Sequence, residues 1–103
     1  MTCEVEKRDG LVHIRGEMTI YDAAAIQESL FAAIGGAGDC CIALDAVSEL
    51  DTTGIQLLLM AQRVCASRGG SFSLSNPSAV VREALGLLNL NSLSTAANSE
   101  AAA

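Results

Sequence analysis

The spacing of apolar side chains changes several times along the chain, and each change predicts a new element of secondary structure. Residues 3–8 alternate loosely between apolar and polar, Asp9-Gly10 is a two-residue turn signal, and residues 11–16 have strand character. Two such runs around such a turn are typical of a β-hairpin. The chain is therefore predicted to begin with two antiparallel strands.

A helix is predicted after the hairpin. Thr19 followed by Asp22 resembles a helix N-cap with an acidic first turn. Apolar residues then recur at helical spacing, at Ala23, Ile26, Leu30, Ala33 and Ile34. Residues 35–38 are rich in glycine and have neither a Walker lysine nor the GxGxxG spacing, so they predict a helix end and not a phosphate loop.

Two further strand and helix pairs follow. Residues 40–44 are almost all apolar and end at Asp45, which predicts a central strand covered on both faces. After a short loop, residues 51–54 begin a strong helical pattern that two glycines close after Arg68.

Residues 71–75 alternate like a short strand, with Phe72 and Leu74 on one side. Asn76-Pro77 predicts the start of a third helix, because Asn caps and Pro suits the first turn. This helix is predicted to continue to about Leu88.

The predicted order is β-β-α-β-α-β-α. Alternation of strands and helices after a hairpin implies an α/β fold with a parallel or mixed sheet and right-handed crossovers. The 103 residues fit one domain. We expect that domain to cover residues 1–94, and the Ala-, Ser- and Asn-rich residues 95–103 to form a flexible tail.

Composition argues against several classes of function. Six Lys and Arg against twelve Asp and Glu give a net charge of −6, the wrong sign for holding nucleic acid or an anionic membrane. Two Phe, one Tyr and no Trp offer little for an aromatic ligand cleft. No run approaches the roughly 18 apolar residues of a membrane span, and no signal peptide is evident. We expect a cytoplasmic protein without direct membrane insertion.

The four cysteines do not predict a metal site. Cys3, Cys40, Cys41 and Cys65 contain no CxxC pair, and the chain has one histidine. Adjacent strand residues point to opposite faces, so Cys40 and Cys41 are poorly placed to bind one ion. Buried free thiols are the favoured interpretation, with no metal and no cofactor.

The helix after Gly54 is more apolar than one packed face requires. Gln56, Arg63 and Ser67 cluster in a narrow polar stripe, and Leu59 and Met60 flank it. At least one of these two side chains is expected to stay accessible. Either an adjacent helix covers them or they form part of a protein-contact surface.

Chemistry is concentrated at the start of this helix. Thr52 and Thr53 stand beside unpaired backbone amides and the positive end of the helix dipole. Capping by Asp51 or Thr52 explains these residue types by itself. A helix N-terminus also accepts an anion such as phosphate.

An enzyme is the weakest interpretation. Asp45, Glu49 and Asp51 follow the central strand, where α/β sheets often place active sites. No nucleophile and base pair, metal cluster or cofactor loop accompanies them, so the chain is predicted not to be an enzyme.

Five stretches resemble the STAS domain of bacterial anti-sigma factor antagonists: residues 16–23, 44–45, 48–55, 68–70 and 76–78. The resemblance extends to about Leu93. It implies a mixed sheet with helices packed mainly on one face. It also implies a regulatory binding protein whose hydroxyl residue directly after the loop aspartate receives phosphate from a serine/threonine kinase.

Carried over to this chain, the phosphorylated residue is Thr52, with Thr53 as a possible second site. The unphosphorylated domain would bind an anti-sigma factor or kinase, phosphorylation would release it, and a PP2C-type phosphatase would reset it. A monomer or weak dimer is expected. The predicted partner-binding residues lie in the loop, the following helix and the turn before the first helix: Asp51, Thr52, Thr53, Gly54, Gln56, Leu59, Met60, Arg63, Thr19 and Tyr21.

Two departures from that family support an alternative. Antagonists of the sporulation and stress type carry Asp where this chain has Thr19, and usually Ser where it has Thr52. Residues 17–21 and 51–59 also resemble stand-alone STAS proteins of proteobacterial signalling and the small cytosolic STAS subunit of a phospholipid-transporting ABC system. In that subunit the equivalent Thr helps grip the ATPase without phosphorylation.

Overall fold

Within residues 3–88, four strands and three helices follow one another in the predicted order. The computed structural model describes residues 3–88. The elements are β1 (Cys3–Arg8), β2 (Leu11–Met18), a 3₁₀ turn (Ile20–Asp22), α1 (Ala23–Ala33), β3 (Cys40–Leu50), α2 (Thr52–Ser67), β4 (Phe72–Ser75) and α3 (Ala79–Leu87). The predicted boundary at residue 94 and the predicted tail lie outside the described residues.

The sheet is mixed, in the order β1-β2-β3-β4. β1 and β2 are antiparallel, and Asp9 and Gly10 between them have φ of 53° and 78°, as a two-residue hairpin turn requires. β3 is parallel to both of its neighbours. The predictions of a hairpin, an interior β3 and a mixed α/β fold are confirmed.

The core lies between the sheet and its helices. α1 packs on β1 and β2, α2 packs on β3 and β4, and the two helices contact each other. Val12, Ile42 and Leu74 follow one another across the sheet in register and are all buried. No helix among residues 3–88 has the length and apolar character that crossing a membrane demands.

β3 is longer than predicted. It does not end at Asp45 before a loop but continues to Leu50. Its second half keeps pairing with β2, where Gly16 faces a buried Val47 and Met18 faces Leu50. The prediction took the first polar residue as the strand end, whereas Asp45 is an exposed position within it. Only Asp51 therefore lies between the end of β3 and the start of α2.

The third helix starts later than predicted. Asn76 has φ of 48° and does not cap it. Ser78 is the N-cap, since its Oγ accepts from the amide of Val81 at 3.4 Å. The same hydroxyl donates to the carbonyl of Val47 at 2.7 Å. This second bond ties α3 to β3, a tertiary contact that the local sequence did not reveal.

The prediction that Thr19 caps the first helix is wrong in its detail. Thr19 precedes a 3₁₀ turn, α1 begins only at Ala23, and the Thr19 side chain makes no capping bond. Its backbone carbonyl instead accepts from the amide of Asp22 at 3.2 Å. The turn holds Ile20 and Tyr21 outside the helix.

Gly54 brings the start of α2 against the end of β2. A Cβ atom at this position would lie 2.5 Å from the carbonyl oxygen of Met18 and 2.6 Å from a methyl carbon of Leu50. The Met18 carbonyl belongs to the backbone of a paired strand, so it does not move without disturbing the sheet. The glycine is required by this approach.

We expect Gly54→Ala to lower the free energy of unfolding by about 3 kcal/mol, because the added methyl overpacks against backbone. Urea denaturation followed by circular dichroism measures this change. Gly36→Ala is the matched control, since nothing lies within 4 Å of its Cβ position. Equal stability of the two variants would contradict the close approach.

The cysteines are free, and Cys3, Cys40 and Cys65 are buried, as predicted, whereas Cys41 is half-buried. Burial raises the pKa of the Cys40 thiol to about 12 and that of Cys3 to about 11. Burial also raises the pKa of Cys65. Thiolate is the reactive form, so these three thiols are protected in the native protein.

A thiol reagent such as DTNB at neutral pH is therefore expected to modify Cys41 first. The three buried thiols should react only when the protein is unfolded in urea, which a stopped-flow time course resolves. Cys41→Ser should remove the fast phase. Rapid reaction of all four thiols in native buffer would contradict the burial of the core cysteines.

Candidate functional site

The candidate site lies at the carboxyl ends of the parallel strands β2 and β3. Met18 and Leu50 are paired as the last residues of these strands. The amide of Asp51 donates to the carbonyl of Met18 at 3.2 Å, so the pairing extends to the first residue of the loop. Residues 51–54 are thus held on the sheet and do not form a free loop.

The Asp51 carboxylate joins two segments that are far apart in sequence. Its Oδ1 accepts from the amide of Gly54 at 3.0 Å, which makes Asp51 the N-cap of α2. Its Oδ2 accepts from the amide of Ile20 at 3.1 Å. Of the two capping residues considered, the structure selects Asp51. The same carboxylate also fixes the 3₁₀ turn.

Thr52 is the first residue of α2, and its side chain is exposed. No hydrogen bond within residues 3–88 occupies its hydroxyl. The first amides of a helix lack intrahelical acceptors and carry partial positive charge, so an anion here is stabilised. Thr53 is only half-exposed. Of the two threonines, Thr52 is the more accessible to a modifying enzyme.

The turn that Asp51 holds is apolar and exposed. Ile20 is 65% exposed and Tyr21 is 90% exposed. Beside them an open cleft of about 330 Å³ is lined by Thr19, Glu49, Leu50, Asp51 and Val80. Large apolar side chains in water next to a modifiable hydroxyl are typical of a protein-contact surface.

Thr19 contributes little to the stability of this region. Its Oγ1 atom is buried and has no hydrogen-bond partner among the described residues. A buried hydroxyl without a partner costs about 1–3 kcal/mol. Capping therefore does not explain why a threonine stands at position 19. Partner contact at Thr19 stays a prediction.

The predicted contact residues on α2 differ in their exposure to solvent. Gln56 and Arg63 are exposed, and Met60 is 38% exposed. Leu59 is partly buried and packs against the core. The expectation that at least one of the two apolar side chains stays accessible is therefore confirmed through Met60.

The three carboxylates considered for catalysis are not gathered into one centre. Asp45 and Glu49 are exposed on β3, while both oxygens of Asp51 accept backbone amides. Within residues 3–88, no group of three or more His, Cys, Asp or Glu side chains is arranged to hold a metal ion.

Two residues of the exposed surface were missed by sequence reasoning. Ile20 was assigned no role, although two large apolar residues before a helix start are a visible signal. Val80 was also assigned no role, and it is 40% exposed. The late start of α3 at Ala79 places Val80 in its first turn, beside Leu50 and Asp51.

Comparison with known proteins identifies the family. The family model described as "Mlab, STAS domain" matches residues 1–95. The chain therefore belongs to the STAS domain family, and its sheet and helices are those of an anti-sigma factor antagonist fold.

A curated relative and solved structures point to the same family. The anti-sigma-B factor antagonist of Bacillus subtilis is 32% identical over 70 residues, which cover 68% of this chain and 64% of that protein. The chain thus spans less than two thirds of this relative's length.

The anti-sigma factor antagonist SpoIIAA in its unphosphorylated form has a TM-score of 0.71 at 25% identity, covering 89% of this chain and 84% of that one. The phosphorylated form of the Bacillus cell fate determinant SpoIIAA has a TM-score of 0.65 at 24% identity, covering 89% and 87%.

Replacing the capping carboxylate tests the double role of Asp51. Asp51→Ala should lower the free energy of unfolding by about 1–2 kcal/mol, because α2 loses its cap and the Ile20 amide loses its acceptor. Hydrogen exchange should also be faster at the amides of Ile20 and Gly54. Asp45→Ala, an exposed change on β3, is the control. Unchanged exchange at Ile20 would contradict the bridge.

Proposed function

We propose that this protein is a cytoplasmic regulatory module that binds a partner protein through the loop and helix after Asp51, and that phosphorylation of Thr52 controls the binding. The proposed partner is an anti-sigma factor or a serine/threonine kinase, with a PP2C-type phosphatase that removes the phosphate. The observation that carries this proposal is the exposed Thr52 hydroxyl at the N-terminus of α2. It lies beside an exposed apolar turn.

The electrostatics of Thr52 support a switch that leaves the fold intact. A phosphate adds about −1.5 to −2 charges to a chain at −6. The α2 dipole favours the added anion in the free domain. In a complex the same group must lose its hydration against a partner surface that fits a neutral hydroxyl, so binding weakens while the fold stays intact.

The surface around Thr52 supports protein binding over catalysis. Ile20, Tyr21 and Met60 expose apolar area to water, and Gln56 and Arg63 offer polar contacts on the adjoining face of α2. Such a mixture of apolar anchors and a polar rim is common in protein interfaces. The proposed contact set comprises these residues with Thr19, Asp51, Thr53 and Gly54.

The related antagonists support the regulatory role. SpoIIAA has been solved in phosphorylated and unphosphorylated forms, and this chain resembles both in fold. The relative from Bacillus subtilis is likewise named as an antagonist of an anti-sigma factor. These names describe regulatory proteins that act against an anti-sigma factor, and we extend a regulatory role of this kind to the present protein.

The alternative is a constitutive STAS subunit of a phospholipid-transporting ABC system, in which Thr52 grips the ATPase subunit. It is supported by the resemblance of residues 17–21 and 51–59 to that subunit. The exposed Met60 beside the polar stripe of α2 also fits a permanent interface, since Met adapts to irregular surfaces. Both functions use the same face of the molecule.

Incubation with ATP and the kinase encoded nearest to this protein's gene should place one phosphate on Thr52, because this hydroxyl is exposed. Mass spectrometry locates the phosphate. Thr52→Ala should abolish the labelling, and Thr53→Ala should retain it. Undiminished labelling of Thr52→Ala would exclude Thr52 as the acceptor.

Partner binding separates the two functions. The switch predicts that Thr52→Glu weakens the complex, whereas Thr52→Gln, which has similar size and no charge, weakens it less. Isothermal titration calorimetry measures both. Stable co-purification with an ABC ATPase, with no phosphothreonine in the native protein, would favour the transporter subunit and contradict the switch.

A further inference from the structure

The cleft beside Thr52 is lined by Glu49, whose charge the fold does not explain. Glu17 and Glu49 are paired in the parallel register of β2 and β3. Like charges opposite each other on neighbouring strands destabilise a sheet. The ion pairs within residues 3–88 involve other glutamates, Glu4 and Glu6. In the described part of the chain, Glu17 and Glu49 are therefore neighbours on adjacent strands with no ion pair to a cation.

Two of the five residues that line the cleft are apolar. Leu50 and Val80 line it together with Glu49, and Val80 keeps 40% of its surface exposed. Ile20, which is 65% exposed, adjoins it through the bond from its amide to Asp51. The recess thus combines aliphatic walls with carboxylates at one side.

We infer that this cleft is the docking site for a partner segment that presents an aliphatic side chain next to a lysine or arginine. The aliphatic side chain packs against Leu50 and Val80, and the cation lies beside Glu17 and Glu49. The inference rests on the proposed function and deepens it, because it names the chemistry of the partner at the same face.

Phosphorylation opposes this docking even though it adds negative charge. Thr52 directly follows Asp51, which lines the cleft, so a hydrated phosphate lies next to the entering side chain. An exposed ion pair contributes little to affinity, whereas burial of an aliphatic side chain contributes more. The lost apolar contact therefore outweighs the added attraction for the cation.

Random peptides displayed on phage and selected against the whole protein test this chemistry. The enriched peptides should share an aliphatic residue beside Lys or Arg. A synthetic peptide of the enriched sequence should bind Glu49→Lys and Val80→Ser at least about tenfold more weakly, as anchor contacts do. Fluorescence polarisation measures the affinities.

Matched controls make the same chemical changes elsewhere. Glu28→Lys reverses an exposed charge on α1, and Leu87→Ser removes an exposed side chain at the far end of α3. Both should bind the peptide like the parent. Peptides without a basic residue, a failure to enrich any sequence, or equal weakening by the control variants would overturn the inference.

A second copy of the chain is the competing occupant. Sedimentation of the parent protein should show no dimer that Val80→Ser dissociates; such a dimer would assign the cleft to self-association and overturn the inference.

Different experimental results would refute the docking site and the phosphorylation switch. Equal peptide binding by the parent and Thr52→Glu would leave the docking site standing and refute the switch. Release of the physiological partner on phosphorylation, with that partner bound normally by Glu49→Lys and Val80→Ser, would establish the switch and refute the docking site.

Discussion

The geometry of the candidate site depends on one carboxylate. Asp51 accepts the amide of Gly54 at the start of α2 and the amide of Ile20 before α1. The first bond orients the helix that carries Thr52, and the second holds the exposed turn beside it. A hydrogen bond to a charged carboxylate is stronger than one to a neutral acceptor. The modifiable hydroxyl and the apolar contact surface therefore keep one fixed relation.

Gly54 imposes the complementary constraint. Its lack of a side chain lets α2 approach the carbonyl of Met18, which also accepts the Asp51 amide. The four residues of the loop thus divide by role: Asp51 and Gly54 build the junction of strand and helix, and Thr52 faces solvent. A motif that looks like one functional unit in the sequence is mostly structural, and its exposed residue, Thr52, is the one that we propose for regulation.

Local patterns were sufficient for the element order, the hairpin and the interior position of β3, because spacing and turn chemistry act over few residues. Local patterns did not predict the element boundaries that depend on a residue distant in sequence. β3 continues past Asp45 because β2 pairs with it, and α3 starts at Ala79 because Ser78 is bonded to Val47. The exposure of Val80 follows from that shift, so the cleft required the structure. Met60 was accessible to sequence reasoning because helical periodicity places it beside the polar stripe of α2, whereas Thr52 was singled out through the resemblance of residues 48–55 to the STAS loop.

Acidity and apolar excess were separate features of the composition, and the fold brings them together at one edge of the sheet. The carboxylates of Glu17 and Glu49 stand in register at the ends of two strands, and Leu50 and Val80 provide the apolar surface beside them. Neither feature stabilises the free domain: paired like charges repel, and the exposed part of Val80 remains hydrated. A partner that supplies a cation and an aliphatic side chain relieves both costs at once. The proposed site gains affinity from contacts that the free domain leaves unsatisfied, and the proposed phosphate on the neighbouring Thr52 interferes with those contacts directly.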